Sequence, residues 1–328
     1  MVNFVKTVRE NLAAVGYVAA DRLAAQIALL LASNGGMVKA MLLDGPPGAG
    51  KTFLAKSVAR ILGVDYVYMA CHPGTSPEDV LYDVNIVNIL RGTSGDVSAV
   101  RSAEDVLNMR FLPTVFRMSQ TGSVVAFVDE LDKANPKTDS LFLTALQEGE
   151  VQVKGLGRVR ANLANLVIFF TKNDKRQISK PLMRRLRREY LGFPSAELEL
   201  AVLTGRIKNG QLAHPVSILH EPVDDIPEAI ARVLVTVAGQ LRNKQEDLIK
   251  PPATQELMMA GQDVVRLAKW GTLNLAGEIA ASWLAGFRED RQILEQLCST
   301  QKLQELLATA ARSSVAEIAR KGIPKADD

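Results

Sequence analysis

Cysteine is scarce. Only Cys71 and Cys298 occur in 328 residues. Two thiols cannot build a disulfide scaffold, and their rarity fits a reducing compartment. Cys71 stands beside His72, but adjacent side chains seldom face one another, so no nucleophilic dyad is expected. Histidine is also sparse, at His72, His214 and His220, and no Cys-x-x-Cys is present. A structural metal site is therefore not expected. No apolar run reaches the roughly 18 residues of a membrane span; the best candidate, 27–32, is far shorter. The start, MVNFVKTVRE, has no uncharged apolar stretch after its basic residues, which argues against a secretory signal. A soluble cytoplasmic protein is expected. An excess of one charge sign is missing too. Lys plus Arg is 39 against 36 Asp plus Glu, for a net charge of +3. Composition alone thus makes no case for nucleic acid or for a polybasic membrane anchor.

What is present is ordinary for a folded protein: 47% apolar and 23% charged residues, at a length that suggests roughly two domains. Residues 1–36 read as mostly helical, with Leu23, Ile27, Leu30 and Leu31 on one face and Gly35-Gly36 as the stop. A short apolar run, 37–43, reads as a buried strand, and 64–70 as another. Between them Phe53, Leu54, Val58, Ile61 and Leu62 repeat at helical spacing. Residues 71–123, with Pro73, Gly74, Pro77, Gly92, Gly95 and Pro113, read as loops, a helix and an irregular insert. VVAFV at 124–128 is a clear buried strand, and 141–146 belongs to a helix. EVQVKGLGRVR at 150–160 alternates around Gly155 and Gly157 as a hairpin does. Residues 166–170 form a fourth strand and 189–193 a fifth, closed by Pro194. Strands alternating with helices from 37 to 194 predict a parallel α/β sheet. Beyond Pro194 the pattern is helical over 195–320, broken near 205–225 and at Pro251-Pro252. Trp270, Trp283 and the Leu stripe at 294–307 read as helix core. The expected organisation is an α/β domain over 1–194, an all-helical domain over 195–320 and a frayed tail over 321–328.

Two motifs carry chemistry. Gly45, Pro46, Pro47, Gly48, Ala49, Gly50, Lys51 and Thr52 fit G-x-x-x-x-G-K-[ST], with a strand before and a helix after, and Phe53 follows. Glycines let successive backbone N–H groups turn inward around phosphate oxygens, and the helix adds the positive end of its dipole. Lys51 can reach the β and γ phosphates, and the Thr52 hydroxyl is a ligand for Mg²⁺. The fold is thus expected to be a P-loop NTPase. The second motif is Asp129-Glu130, two carboxylates delivered by an apolar strand. That is costly without partners, which a metal and a water supply. Asp129 would hold Mg²⁺ largely through water, and Glu130 would polarise the attacking water.

GPPGAGKT, VVAFVDELDKANPKTDSLFLTALQEGEVQV and LVIFFTKNDKRQISKPLMRRL together resemble the AAA+ ATPases. More narrowly, over 12–194, they resemble the MoxR-like family of the helix-2-insert clade. The resemblance implies that Asn173 is the first sensor, which orients water and contacts the γ-phosphate. It implies a trans arginine at Arg185, with Arg184 as second choice, and hence a homo-oligomeric ring, a hexamer by family habit. The helical region becomes a lid. Its second sensor is expected within 269–278, where Leu273 and Asn274 stand in place of arginine, leaving Lys269 or Arg266 as substitutes. The adenine pocket is expected near Gly16 and Tyr17, with Tyr17 either stacking on the base or serving as a core aromatic. The hairpin, with Lys154, Arg158 and Arg160, would face the ring pore and grip acidic polypeptide or nucleic acid phosphate, although no aromatic residue interleaves with those charges. The implied activity is hydrolysis of ATP with Mg²⁺ to remodel a protein substrate, with a von Willebrand factor A domain protein as partner. A DNA-handling motor and a nucleotide-gated scaffold with little turnover are the alternatives.

Overall fold

The computed structural model describes residues 4–33, 38–88, 106–173, 176–204, 226–244, 246–269 and 271–321, with side chains to 313. Gly35-Gly36, Met37, the insert segment 89–105, Asp174, the interruption at 205–225, Trp270 and the tail beyond 321 lie outside the described residues.

The described chain divides into two compact units, 1–192 and 193–328. The first is built on a five-stranded sheet of β1 (Lys39–Asp44), β2 (Asp65–Ala70), β5 (Val124–Asp129), β8 (Leu166–Thr171) and β9 (Arg187–Tyr190), in the order β2-β5-β8-β1-β9. All four pairings are parallel. The three middle strands are near-continuous apolar runs because both faces are covered, and β8 is buried at every position. Alternate residues point to opposite faces. Leu42, Ala126, Val128, Ile168 and Phe170 meet Phe116, Phe142 and Leu146 from helices Phe111–Thr121 and Lys137–Glu148. Met41, Leu43, Val125, Phe127 and Phe169 meet Leu12, Ile27, Leu54 and Val58 from helices Phe4–Ala14, Asp21–Ala32 and Lys51–Leu62. This is an α/β P-loop NTPase fold followed by a C-terminal helical region.

The register brings the strand ends level. Leu43 pairs with Thr171 and Val128 with Phe170, so Asp44, Asp129 and Thr171 reach the same edge of the sheet. In open parallel sheets this carboxyl edge is where ligands bind.

Two expectations need correction. The fifth strand is Arg187–Tyr190 rather than 189–193. As an edge strand it carries exposed Arg187, Arg188 and Tyr190 around a buried Glu189, which the exposed Arg22 reaches at 3.4 Å. The apolar Leu191 instead starts the turn, its N–H donating to Asp44 O at 2.8 Å. Residues 71–123 hold more regular structure than expected. Helix Pro77–Leu81 starts with a Ser76/Asp79 capping box, β3 (Tyr82–Val84) pairs antiparallel with β4 (Leu107–Met109), and helix Phe111–Thr121 is buried core. Pro113 does not break that helix because it sits in the first turn, where no N–H is required. The hairpin β6 (Glu150–Val153) and β7 (Gly157–Arg160) forms as expected.

The second unit is helical: Ala196–Leu203, Glu228–Arg242, Thr254–Lys269, Ala276–Leu284, Arg288–Leu297 and Thr300–Lys321. They pack around Leu234, Leu257, Val264, Leu284, Leu303 and Leu307. A buried Glu199 is held bidentately by Arg242, at 2.7 and 2.8 Å. Among the described residues no helix is long and apolar enough to cross a membrane.

Candidate functional site

The loop after β1 is shaped by its backbone. Gly45 has φ 132°, and a Cβ there would lie 2.0 Å from Leu191 O. Only glycine passes at that point. Its N–H donates to Asp44 Oδ1 at 2.8 Å, while Asp44 Oδ2 pairs with Lys172 Nζ at 2.9 Å. Gly50, in the left-handed region, then opens helix Lys51–Leu62, and no side chain caps that helix. Its first-turn N–H groups therefore remain available to an anion. Lys51 is buried. Its ammonium donates to Gly45 O at 2.5 Å, Pro46 O at 3.1 Å and Asn173 Oδ1 at 3.1 Å. Burial lowers the Lys51 pKa, and the carboxylates of Asp129, Asp44, Asp132 and Glu130 oppose that shift.

The two carboxylates at the end of β5 are both partnered. Asp129 Oδ1 accepts from Thr171 Oγ1 at 2.6 Å and Oδ2 from the Tyr68 hydroxyl at 3.2 Å. Burial, reinforced by Asp129, pushes the Tyr68 phenol up to about 12. Glu130 has φ 53° and ψ 47°, the one non-glycine residue with positive φ among those described. Its N–H donates to the same Thr171 hydroxyl at 2.7 Å. Oε1 accepts from Asn173 Nδ2 at 2.8 Å, and Oε2 lies 2.7 Å from Lys133 Nζ. The Asn173 N–H donates to Asp132 Oδ2 at 3.1 Å. Lys51, Asn173, Glu130 and Lys133 thus form one hydrogen-bonded chain along the carboxyl edge of the sheet.

Sequence reasoning found Lys51, Asn173 and Glu130 of this chain. It missed Thr171, whose hydroxyl links Asp129 to Glu130, and Lys133. It also missed Arg176. That guanidinium bonds Asp139 bidentately at 2.9 and 2.7 Å and reaches Ala134 O at 3.0 Å and Leu131 O at 3.3 Å. It ties the turn after Glu130 to the segment after Asn173. The signal for Lys133 was its i+3 spacing from Glu130 in DELDK. Nothing in the sequence pairs Arg176 with Asp139.

Other expected residues lie apart from this chain of bonds. Arg184 and Arg185 are exposed, and Arg185 reaches Gln147 Oε1 at 3.5 Å. Thr52 and Phe53 follow Lys51 in the first helical turn and are partly buried. Gly16 has φ 89°. Tyr17 is buried with its ring centroid 5.6 Å from that of Phe53, packed in the core and not standing free; burial raises its pKa. The hairpin is less basic than its sequence suggests, because Glu150 pairs with Arg160 at 2.9 Å and Arg158 at 3.6 Å. In the helical unit Arg266 pairs with Asp263 at 3.0 Å, and Asp263 also accepts from Trp283 Nε1 at 2.9 Å.

Comparison with known proteins agrees with this geometry. Residues 40–188 match the AAA domain, dynein-related subfamily. The chain is 26% identical over 189 residues to the uncharacterized protein YeaC of Bacillus subtilis, covering 56% of this chain and 50% of that protein. It is 27% identical over 155 residues to the mitochondrial inner membrane i-AAA protease supercomplex subunit YME1 of Saccharomyces cerevisiae, covering 46% and 17%. It is 21% identical over 183 residues to the mitochondrial sorting homolog of Caenorhabditis elegans, covering 55% and 46%. The chain thus spans half or less of the length of these curated relatives. Together the matches support an AAA+ ATPase and an ATP-driven activity.

Proposed function

We propose that this chain binds Mg·ATP at the loop Gly45–Thr52 and hydrolyses it, with Lys51 on the β and γ phosphates, Glu130 as the water-activating base and Asn173 as the residue that senses the γ-phosphate. One observation carries the reading. Asn173 accepts from Lys51 and donates to Glu130, joining positions 122 and 43 residues away in sequence. A phosphate-binding ammonium, a candidate base and an amide between them form the constellation that phosphoryl transfer to water requires.

The donor set fits Mg²⁺. Asp129 offers a partly exposed carboxylate at the strand end and Thr52 a hydroxyl in the first helical turn. Mg²⁺ keeps several waters and takes phosphate plus one or two protein oxygens, which these two groups can supply. When bound, Mg²⁺ would neutralise charge on the β and γ oxygens. The chain's own residues do the rest. The uncapped amides of the Lys51 helix hold phosphate oxygens, the Thr171 hydroxyl fixes the Asp129 carboxylate, and Glu130 accepts the proton of water.

Exposed Arg185, with Arg184 beside it, is the residue proposed to reach a neighbouring subunit's nucleotide in a ring. The finer assignment remains the MoxR-like family, with chaperone-like remodelling of a protein substrate, a hexameric ring and a von Willebrand factor A domain partner. Its support is the run from Asp129 through the hairpin together with the β3–β4 insertion. The experiment is Mg-dependent ATP hydrolysis and nucleotide affinity for the native chain, Lys51→Ala and Glu130→Gln. The expected result is lost affinity for Lys51→Ala. Glu130→Gln should retain affinity with turnover lower by about 10²-fold or more. Undiminished affinity and hydrolysis in Lys51→Ala would refute the reading.

A further inference from the structure

Every polar group of Glu130 has a protein partner. Its N–H donates to Thr171 Oγ1 at 2.7 Å, its C=O accepts from the Lys133 N–H at 2.8 Å, Oε1 accepts from Asn173 and Oε2 from Lys133. Lys133 therefore grips Glu130 twice, once through its backbone and once through its ammonium. These contacts hold the residue in a left-handed conformation that costs a non-glycine residue roughly 1–3 kcal/mol and persists only where the surroundings over-determine it.

The ion pair contributes little to folding. Its side chains are 33% and 28% exposed, and partly solvated pairs of this kind are worth about 0–1 kcal/mol. What it fixes is direction. A carboxylate offers about four lone-pair sites. The amide of Asn173 takes one on Oε1 and the ammonium of Lys133 takes one on Oε2. One site is left on each oxygen, and the two donors hold the carboxylate that carries them in a fixed orientation.

We propose that Lys133 is a positioning residue for Glu130, clamping its carboxylate against Asn173 so that the free lone pairs face the attacking water. The inference rests on Glu130 being the base. Lys133→Met keeps the backbone N–H and the side-chain length but removes the ammonium. It is expected to lower kcat by about 10–100-fold, the scale of a misplacement near 1 Å, with KM for Mg·ATP and the unfolding midpoint unchanged. Lys133→Arg should restore part of kcat, and Lys133→Met should add nothing in a Glu130→Gln background. The proposal is overturned if Lys133→Met turns over within twofold of the native chain, or if its loss is matched by a raised KM or a lowered unfolding midpoint. A second measurement does not depend on turnover: the NMR shifts of the Asn173 side-chain amide in the nucleotide-free chain. A shift in Lys133→Met supports the clamp, and unmoved resonances overturn it. A native chain without turnover defeats the base assignment, and the amide shifts still decide the clamp.

Discussion

Replacing Arg176 with methionine removes a guanidinium that donates to Asp139 twice and to the carbonyls of Ala134, Leu131 and Gln177. The side chain of Asp139 is 2% exposed and that of Arg176 20%. Breaking a buried pair by deleting one partner costs about 3–5 kcal/mol, because the other charge is left without compensation. Here Asp139 keeps the Ser179 N–H at 2.7 Å, and the partial exposure of Arg176 lets water in. The expected loss therefore sits near the low end, about 3 kcal/mol. At a urea m-value of about 2–3 kcal/mol/M, the midpoint falls by roughly 1–1.5 M. The double variant Arg176→Met with Asp139→Leu leaves no orphaned charge and should lose less than Arg176→Met alone. The two units can be followed separately. Both tryptophans, Trp270 and Trp283, lie in the second unit, so fluorescence reports that unit while far-UV circular dichroism also reports the first. The dichroism transition should move and the fluorescence transition should stay. A dichroism shift below about 0.2 M, or an equal fluorescence shift, would refute the reasoning.

Glu130 stands at φ 53°, where glycine is unstrained, so Glu130→Gly should be more stable than Glu130→Gln by about 1 kcal/mol in thermal unfolding although both lack the carboxylate. A Cβ on Gly277 would lie 2.7 Å from Thr300 O and 2.9 Å from Gln304 Cα. Backbone cannot yield as a flexible side chain does, so Gly277→Ala should lower the unfolding free energy of the helical unit, followed by fluorescence, by about 1–3 kcal/mol, while the nucleotide affinity of the first unit serves as a control.

The legible parts of the sequence were those where local chemistry dictates structure. The middle strands are apolar at nearly every position because both faces are buried, and β1, β5 and β8 stand close to where that pattern places them. The glycine loop and Asp129-Glu130 announce themselves because phosphate and metal need those residue types at those spacings. The strand β9 was displaced because an edge strand need not be apolar. RREY has only Glu189 inside, partnered by Arg22, while the neighbouring Leu191 and Phe193 drew the expectation onward. The contacts that orient the site were the least legible. Thr171 reads as one more β-branched strand residue until its hydroxyl is seen between Asp129 and Glu130. Arg176 finds Asp139 37 residues away only once β5 and β8 lie side by side.

The ammonium of Lys51 is already satisfied by oxygens of its own chain, two from the loop it serves and one from Asn173. A visiting anion must displace several acceptors at once. A small monoanion offers too few oxygens to compensate, whereas a polyphosphate tail can replace them all and still engage the helix amides. The site would thus favour a polyphosphate tail over a small monoanion such as chloride. Because the same contacts hold the loop in shape beforehand, occupancy exchanges one set of partners for another with little ordering entropy left to lose. It would also free the Asn173 carbonyl, so the first consequence of occupancy would be felt at Glu130.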